Sequence, residues 1–99
     1  MTNKNYRRGY VIERKVVNMF RDQGYLVIRS AGSHSAVDVC VFKDDKAIAI
    51  QLKREKKKTN HTKEIEDFKK VKVPAYMQKE FWIYRDHNRK DPWLKYTLP

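Results

Sequence analysis

Two segments of the chain carry apolar residues at the spacing of a helix. In YVIERKVVNMFRDQG, Ile12, Val16, Met19 and Phe20 fall on one face, and Gly24 supplies the end signal. Further along, KEIEDFKKVKV repeats this spacing before Pro74 closes it, and its apolar positions are Ile65, Phe68 and Val71. The pattern predicts two helices.

Five short runs predict strands. YLVIRS is rich in β-forming residues and is interrupted by the small and polar AGSHSA, whereas FWIYR and WLKYT flank the turn-rich HNRKDP. AVDVCVF and AIAIQLK alternate in character and are joined by KDDK, which predicts a hairpin. A loop of that length pairs Phe42 with Ala47, Cys40 with Ala49, and Asp38 with Gln51.

The two faces of this hairpin differ in chemistry. Gln51 and Lys53 share a face with Asp38, and the small residues Cys40, Ala47 and Ala49 indicate that a helix packs closely there. The opposite face is apolar and is expected to be core: Val37, Val39, Val41, Ile48, Ile50 and Leu52. The order helix, three strands, helix, two strands predicts an α/β fold, a mixed five-stranded sheet flanked by two helices, with a parallel crossover through the second helix.

Length and charge narrow the choice of partner. With 99 residues and 40% hydrophobic content, residues 1–99 are expected to form a single domain. Its 23 Lys and Arg against 12 Asp and Glu give a formal charge of +11, which favours a polyanion, nucleic acid first. Without a long apolar run or signal peptide, membrane attachment is not expected, and we expect a cytoplasmic, DNA-associated protein. Cys40 is expected to be a buried free thiol, and the scattered His34, His61 and His87 do not favour a structural zinc site.

A further acid lies on the apolar arc of the first helix. Glu13 has Val16 and Val17 as its helical neighbours and no cation at that spacing, so it needs a metal ion, a lysine or water as partner. Taken singly, Glu13, Asp38 and Lys53 could each be ordinary surface groups. Together with the Gln51 amide, they are the hard oxygen ligands and the ammonium that Mg²⁺-dependent phosphodiester hydrolysis requires.

Four segments carry a family resemblance: Glu13 in ERKVV, the loop of GYLVIRSAGSHS, Asp38 in VDV, and Gln51 to Lys53 in QLK. In these segments the chain resembles the PD-(D/E)xK nucleases, and most closely the archaeal Holliday junction resolvases. The resemblance extends from about Tyr6 through Lys95. It implies a restriction-endonuclease-like core and a Mg²⁺-dependent, structure-selective DNA endonuclease, with Mn²⁺ as a substitute ion and no small-molecule cofactor. It also implies a homodimer that binds four-way junctions and nicks two strands symmetrically.

The same resemblance assigns roles to individual residues. It makes Lys53 the catalytic lysine and places Ser33 close to the scissile phosphate. The implied metal ligands are Glu13, Asp38, Gln51 and Leu52, and the implied contacts to the DNA backbone are Arg7, Arg8, Arg29, Arg54, Lys56, Lys57 and Lys58.

Two positions depart from the family motif. Val37 stands where the motif name has proline, which affects only the backbone that enters the site. Gln51 stands where a carboxylate is usual, so the affinity for Mg²⁺ should fall unless Glu13 compensates, although VRR-type nucleases tolerate glutamine there. A non-catalytic nucleic-acid-binding module on the same fold is therefore the alternative, and a nuclease that acts on flaps, linear ends or RNA is a third.

Overall fold

The structure, a computed structural model, describes residues 4–30 and 36–99, with side chains of the first helix described from residue 10 onward. The described elements are α1 (Lys4–Asp22), β1 (Leu26–Arg29), β2 (Val39–Lys43), β3 (Lys46–Glu55), α2 (Thr62–Lys69), β4 (Gln78–Arg85) and β5 (Trp93–Leu98). Neither of the two described helices is long and apolar enough to cross a membrane.

The strands form one sheet in the order β1-β2-β3-β4-β5. Neighbouring strands are antiparallel except for β3 and β4, which run parallel and are connected through α2. This confirms the predicted α/β fold, with a mixed five-stranded sheet and a helical crossover.

Turn geometry fixes the register of the β2–β3 hairpin. Lys43 pairs with Lys46, so the turn has two residues, and Asp44 takes the left-handed conformation (φ 51°) that such turns require. The predicted pairs of Phe42 with Ala47 and Cys40 with Ala49 follow, and both are confirmed.

Each face of the sheet is covered by one helix. On one side, α1 buries a core against β2, β3 and β4; its fully buried members include Ile12, Val16, Val39 and Ile50. On the other side, Phe68 of α2 packs against Phe81 of β4, with ring centroids 6.4 Å apart. This second face also carries Gln51, which is opposite Phe81, so a helix does lie on the predicted side. Cys40 on this side is only half-buried, and burial raises the pKa of its thiol.

Regular pairing of the hairpin stops at Val39, which corrects two predictions. Beyond the pair of Val39 with Ile50, the amide of Asp38 donates to the same Ile50 carbonyl (2.9 Å), an arrangement of the β-bulge type. The expected strand pair of Asp38 with Gln51 is therefore absent from the β2–β3 ladder. Val37, expected on the α1 side, instead packs against the α2 core, because the bulge breaks the alternation.

Element boundaries differ from the prediction at two places. The first helix begins at Lys4, six residues before the apolar repeat starts at Tyr10, because polar residues can extend a helix without facing a core. The third strand continues through Arg54 to Glu55, although the basic run suggested a loop from Lys53. Pairing with β4, in which Glu55 is opposite Arg85, supports this extension.

A buried lysine of β4 caps the carboxyl end of the second helix. Lys79 of β4 is 8% exposed, and its ammonium donates to the carbonyls of Lys69 (2.6 Å) and Val71 (3.1 Å) at the carboxyl end of α2. These carbonyls lack partners within the helix, so the lysine satisfies them and compensates the negative end of the helix dipole.

Candidate active site

The strand ends that carry the candidate residues meet at one edge of the sheet. β1 ends at Arg29, which is opposite Val39 at the start of β2, and Val39 is opposite Ile50 in β3. Because β3 and β4 run parallel, their carboxyl ends reach this same edge. We call it the functional edge: the end of β1, the start of β2, and the carboxyl ends of β3 and β4.

Asp38 lies half-buried at the functional edge. Its Oδ2 accepts a hydrogen bond of 2.7 Å from the amide of Leu52. Burial raises the pKa of Asp38, and the negative charge of Glu13 adds to this, whereas the Leu52 amide and the Lys53 ammonium act in the opposite direction. The carboxylate thus lies within electrostatic reach of an acid on α1 and of a lysine on β3.

Glu13 has an arginine as its partner, which the sequence did not predict. Its Oε1 accepts a hydrogen bond of 2.7 Å from Nε of Arg29, at the end of β1. The Arg29 guanidinium also lies over the ring of Tyr10, 5.2 Å from its centre. The hydrogen bond to Glu13 raises the pKa of Arg29. In the free chain, a protein cation therefore neutralises the acid proposed for metal binding.

The QLK segment places its side chains on both sides of β3. Gln51 and Lys53 are half-buried and pair with Phe81 and Ile83, on the α2 side of the sheet. The side chain of Leu52 is buried in the α1 core, so only its backbone is available at the edge, and its amide already donates to Asp38. As a metal ligand, Leu52 could offer only its carbonyl oxygen.

Some predicted site residues lie partly or wholly outside the described part of the chain. Ser33 is not among the described residues. Arg7 and Arg8 belong to α1, but their side chains are not described. The roles assigned to these three residues stay predictions.

The predicted DNA-contacting residues near β3 have different environments. Lys56, Lys57 and Lys58 are exposed and lie in residues 56–60, which we call the basic loop. Arg54, predicted to be in that loop, is a strand residue whose Nε donates to Oδ1 of Asp86 at 2.9 Å. Its contact to DNA stays a prediction, and in the free chain its side chain is already paired with Asp86.

A cluster at the same edge was missed from the sequence. Glu55, the last residue of β3, is 7% exposed and accepts hydrogen bonds from His61 (2.7 Å) and His87 (2.5 Å), each through Nε2. Glu55 and His87 are 32 positions apart, and no spacing rule connects them. The two histidines appeared scattered because only the sheet brings them together. A signal was available in Glu55 itself, an acid within a basic run.

The acidic donor set is small in the described part of the chain. There, no group of three or more His, Cys, Asp or Glu side chains is arranged so that it could hold a metal ion. The assignment of Glu13, Asp38, Gln51 and Leu52 as metal ligands therefore stays a prediction.

Comparison with protein families supplies an independent observation on this arrangement. The model of the archaeal Holliday junction resolvase family matches residues 4–81. The chain belongs to this family. The matched range contains Glu13, Asp38, Gln51 and Lys53, so the resolvase match and the geometry of the functional edge concern the same residues. A search of curated proteins finds no match.

Family membership indicates that the chain is a nuclease that resolves Holliday junctions, and it implies that the chain binds branched DNA. The match ends at Phe81, within β4. His87 and the whole of β5 lie beyond it, so the histidine cluster includes a residue outside the family match.

Proposed function

We propose that the chain is a divalent-metal-dependent endonuclease that cleaves four-way DNA junctions as a homodimer. The observation that carries this proposal is the electrostatic environment of Asp38, whose carboxylate is acted on by the charges of both Glu13 and Lys53. Two acids and a lysine at one end of a β-hairpin in a strongly basic chain suit phosphodiester hydrolysis.

The donor chemistry fits a hard cation. Asp38 is half-buried beside a second carboxylate, and such a like-charged pair is relieved when a divalent ion shares both ligands. Glu13 and Asp38 would hold Mg²⁺, with Mn²⁺ as a substitute, and the Gln51 amide and Leu52 carbonyl would complete the oxygen donors. Bound there, the ion would supply charge neutralisation for the phosphate and acidify a water ligand.

The side chains of the functional edge have separate tasks. Asp38 keeps the β3 backbone in place by accepting from the Leu52 amide. Lys53, which follows Leu52 in the sequence, presents an ammonium near Asp38 that can stabilise negative charge on the phosphate under attack. Arg29 and the lysines of the basic loop would hold the DNA backbone, which fixes position without reading sequence.

The homodimer would use the exposed face of β1. Leu26 and Ile28 are 64% and 53% exposed and lie on the same face of this edge strand. Because only 64% and 53% of these residues remain to be buried, an interface would gain about 1–2 kcal/mol from each. Sedimentation equilibrium tests this: Leu26→Glu should produce monomers, whereas the control Tyr76→Glu, at a side chain that is 74% exposed, should not. A dimeric Leu26→Glu variant would refute this choice of surface.

The cleavage assay compares a labelled four-way junction, a flap and a linear duplex with Mg²⁺, Mn²⁺ or EDTA. We expect metal-dependent cleavage with preference for the junction, and Asp38→Asn should abolish it. If no substrate is cut and Asp38→Asn behaves like the wild type, the nuclease proposal is wrong.

One observation favours the non-catalytic alternative. Arg29 already neutralises Glu13, and Gln51 adds no charge, so the site in the free chain lacks the surplus of negative charge that retains Mg²⁺. Calorimetry with Mn²⁺ separates the two functions. A binding module would bind junction DNA equally well with and without the ion, and would show no metal binding that depends on Asp38.

A further inference from the structure

Glu55, His61 and His87 join three separate parts of the fold. Glu55 is the last residue of β3, His61 directly precedes α2, and His87 lies in the connection from β4 to β5. The two carboxylate oxygens of Glu55 are used separately, Oε1 by His61 at 2.7 Å and Oε2 by His87 at 2.5 Å. The side chains of Glu55 and His61 are 6% and 9% exposed, so water competes little for these bonds.

The contacts of His61 determine its charge. Its Nε2 faces Glu55, and its Nδ1 lies 2.9 Å from Oε2 of Glu64. Ionised carboxylates only accept hydrogen bonds, so when Glu55 and Glu64 are both ionised the two bonds require protons on both ring nitrogens, which is the imidazolium form. Burial disfavours that charge, but the bonds to Glu64 and Glu55 outweigh it and raise the pKa of His61. Burial likewise opposes the Glu55 carboxylate, yet the bonds from His87 and His61 keep its pKa below the usual value.

This cluster closes the basic loop. Glu55 and His61 stand immediately before and after residues 56–60, so their ion pair joins the two ends of the segment that contains Lys56, Lys57 and Lys58. Within the described structure, the loop is outside helices and strands, and its internal contacts include a bond from the Thr59 hydroxyl to the Lys57 carbonyl (2.8 Å). Its conformation therefore depends strongly on how its ends are held.

We propose that Glu55, His61 and His87 form a proton-dependent clamp that positions the basic loop to contact phosphates of the nucleic-acid backbone. The proposal rests on the proposed function, because it assumes that the loop binds junction DNA. In the described residues, the other titratable or charged groups around the clamp are Glu64 from α2, Lys58 from the loop, Arg85 from β4 and Tyr96 from β5. Loss of a proton from His61 leaves one ring nitrogen as an acceptor that faces the carboxylate of Glu55 or Glu64, and the remaining bond loses its charge assistance, so the clamp weakens. A freed loop must then be ordered when DNA binds, which weakens the affinity.

The test is junction binding by the full chain, measured by fluorescence anisotropy in EDTA at constant ionic strength from pH 5.5 to 8.5. The wild type should lose affinity by roughly two- to tenfold as His61 deprotonates. Glu55→Gln makes the chain more positive, so net charge alone predicts tighter binding, whereas the clamp predicts weaker binding and a flatter pH profile than that of the wild type. The matched control Glu66→Gln makes the same charge change at an exposed position of α2 and should keep the wild-type pH profile.

A second variant covers the risk that Glu55→Gln does not fold. The Glu64 side chain is 44% exposed, and Glu64→Gln gives Nδ1 of His61 an amide N–H that can donate to the neutral ring, so the neutral ring can keep its Nε2–H for Glu55. This variant should bind as the matched control Glu66→Gln does at pH 5.5 and lose less affinity at pH 8.5. A wild-type slope in this variant, or tighter binding by Glu55→Gln, would overturn the clamp.

Ring titration by NMR keeps the two proposals distinguishable. The chain has three histidines, so single variants assign their signals. His61 should titrate above its ordinary range in the wild type and return towards it in Glu55→Gln. An ordinary titration of His61, or junction binding that does not change with pH, overturns the clamp alone. Absence of junction binding at every pH overturns the proposed function.

Discussion

Arg29→Gln is expected to change metal binding and DNA binding in opposite directions. In the free chain, Arg29 neutralises Glu13, one of the two carboxylates available to a cation, so a metal ion must displace this ion pair. The substitution removes the competitor and a positive charge from the site. It also removes a guanidinium that can transfer from Glu13 to a DNA phosphate.

The exposure of the pair sets the size of the effect. The side chains of Arg29 and Glu13 are 39% and 21% exposed, so solvent screens them and the pair belongs to the weak range of about 0.2–1 kcal/mol. Freed from this pairing, Glu13 should bind a divalent ion roughly 1.4- to 5-fold more tightly. Loss of one phosphate contact should lower the slope of log affinity against log salt by about 0.9.

Calorimetry with Mn²⁺ measures the first effect, and anisotropy with junction DNA in EDTA at several salt concentrations measures the second. Arg21→Gln is the matched control, because Arg21 is exposed at the end of α1 and should change neither metal affinity nor the pairing of Glu13. The reasoning is wrong if Arg29→Gln weakens metal binding, or if it leaves the salt slope at the wild-type value.

Three further outcomes follow from the same charges. Gln51→Glu adds a charged ligand and should raise the affinity for Mn²⁺ by about tenfold in calorimetry; an unchanged affinity would exclude Gln51 from the site. Because the folded-state pKa of Asp38 is raised, its ionised form destabilises the fold above the ordinary pKa of 3.8. Asp38→Asn should therefore raise Tm at pH 7 in EDTA, and Mg²⁺ should raise Tm only in the wild type. The raised pKa of His61 means that its contribution to stability is fully present below pH 6.5 and is lost as pH rises through its folded-state pKa. The lowered pKa of Glu55 means that its contribution is fully present above pH 4.5 and is lost as pH falls through its folded-state pKa. Thermal unfolding should thus show the largest cost of Glu55→Gln between these values, and an equal cost at pH 9 would contradict the assignment.

Local rules were sufficient for the hairpin. The side-chain period of two and a two-residue turn determine which residues of β2 and β3 are opposed, and the pairs at Phe42 and Cys40 are as predicted. The same rule fails at Asp38, because a bulge depends on how the strand ends and not on the polarity of its residues. Asp38 consequently reaches the Leu52 amide as well as the charges of Glu13 and Lys53.

Contacts between distant segments were beyond such rules. The basic run suggested a loop from Lys53, but parallel pairing with β4 keeps the chain in a strand as far as Glu55. The partner of Glu13 comes from β1, and one partner of Glu55 comes from beyond β4. Each case depends on which elements become neighbours, a property of the sheet order and not of any local spacing.

The cations of the functional edge differ in what DNA must displace. Arg29 is paired with Glu13, Arg54 with Asp86, and His61 with Glu55 and Glu64, so carboxylates already order these side chains in a chain of net charge +11. DNA phosphates can replace the carboxylates at Arg29 and Arg54, where the paired side chains keep 21–39% exposure, but not at the nearly buried Glu55. Removal of Glu13 or Asp86 should therefore strengthen DNA binding as simple charge counting predicts, whereas removal of Glu55 should weaken it. The opposite signs of these changes in DNA affinity distinguish carboxylates that act only as counterions, Glu13 and Asp86, from Glu55, which supports the structure of the basic loop.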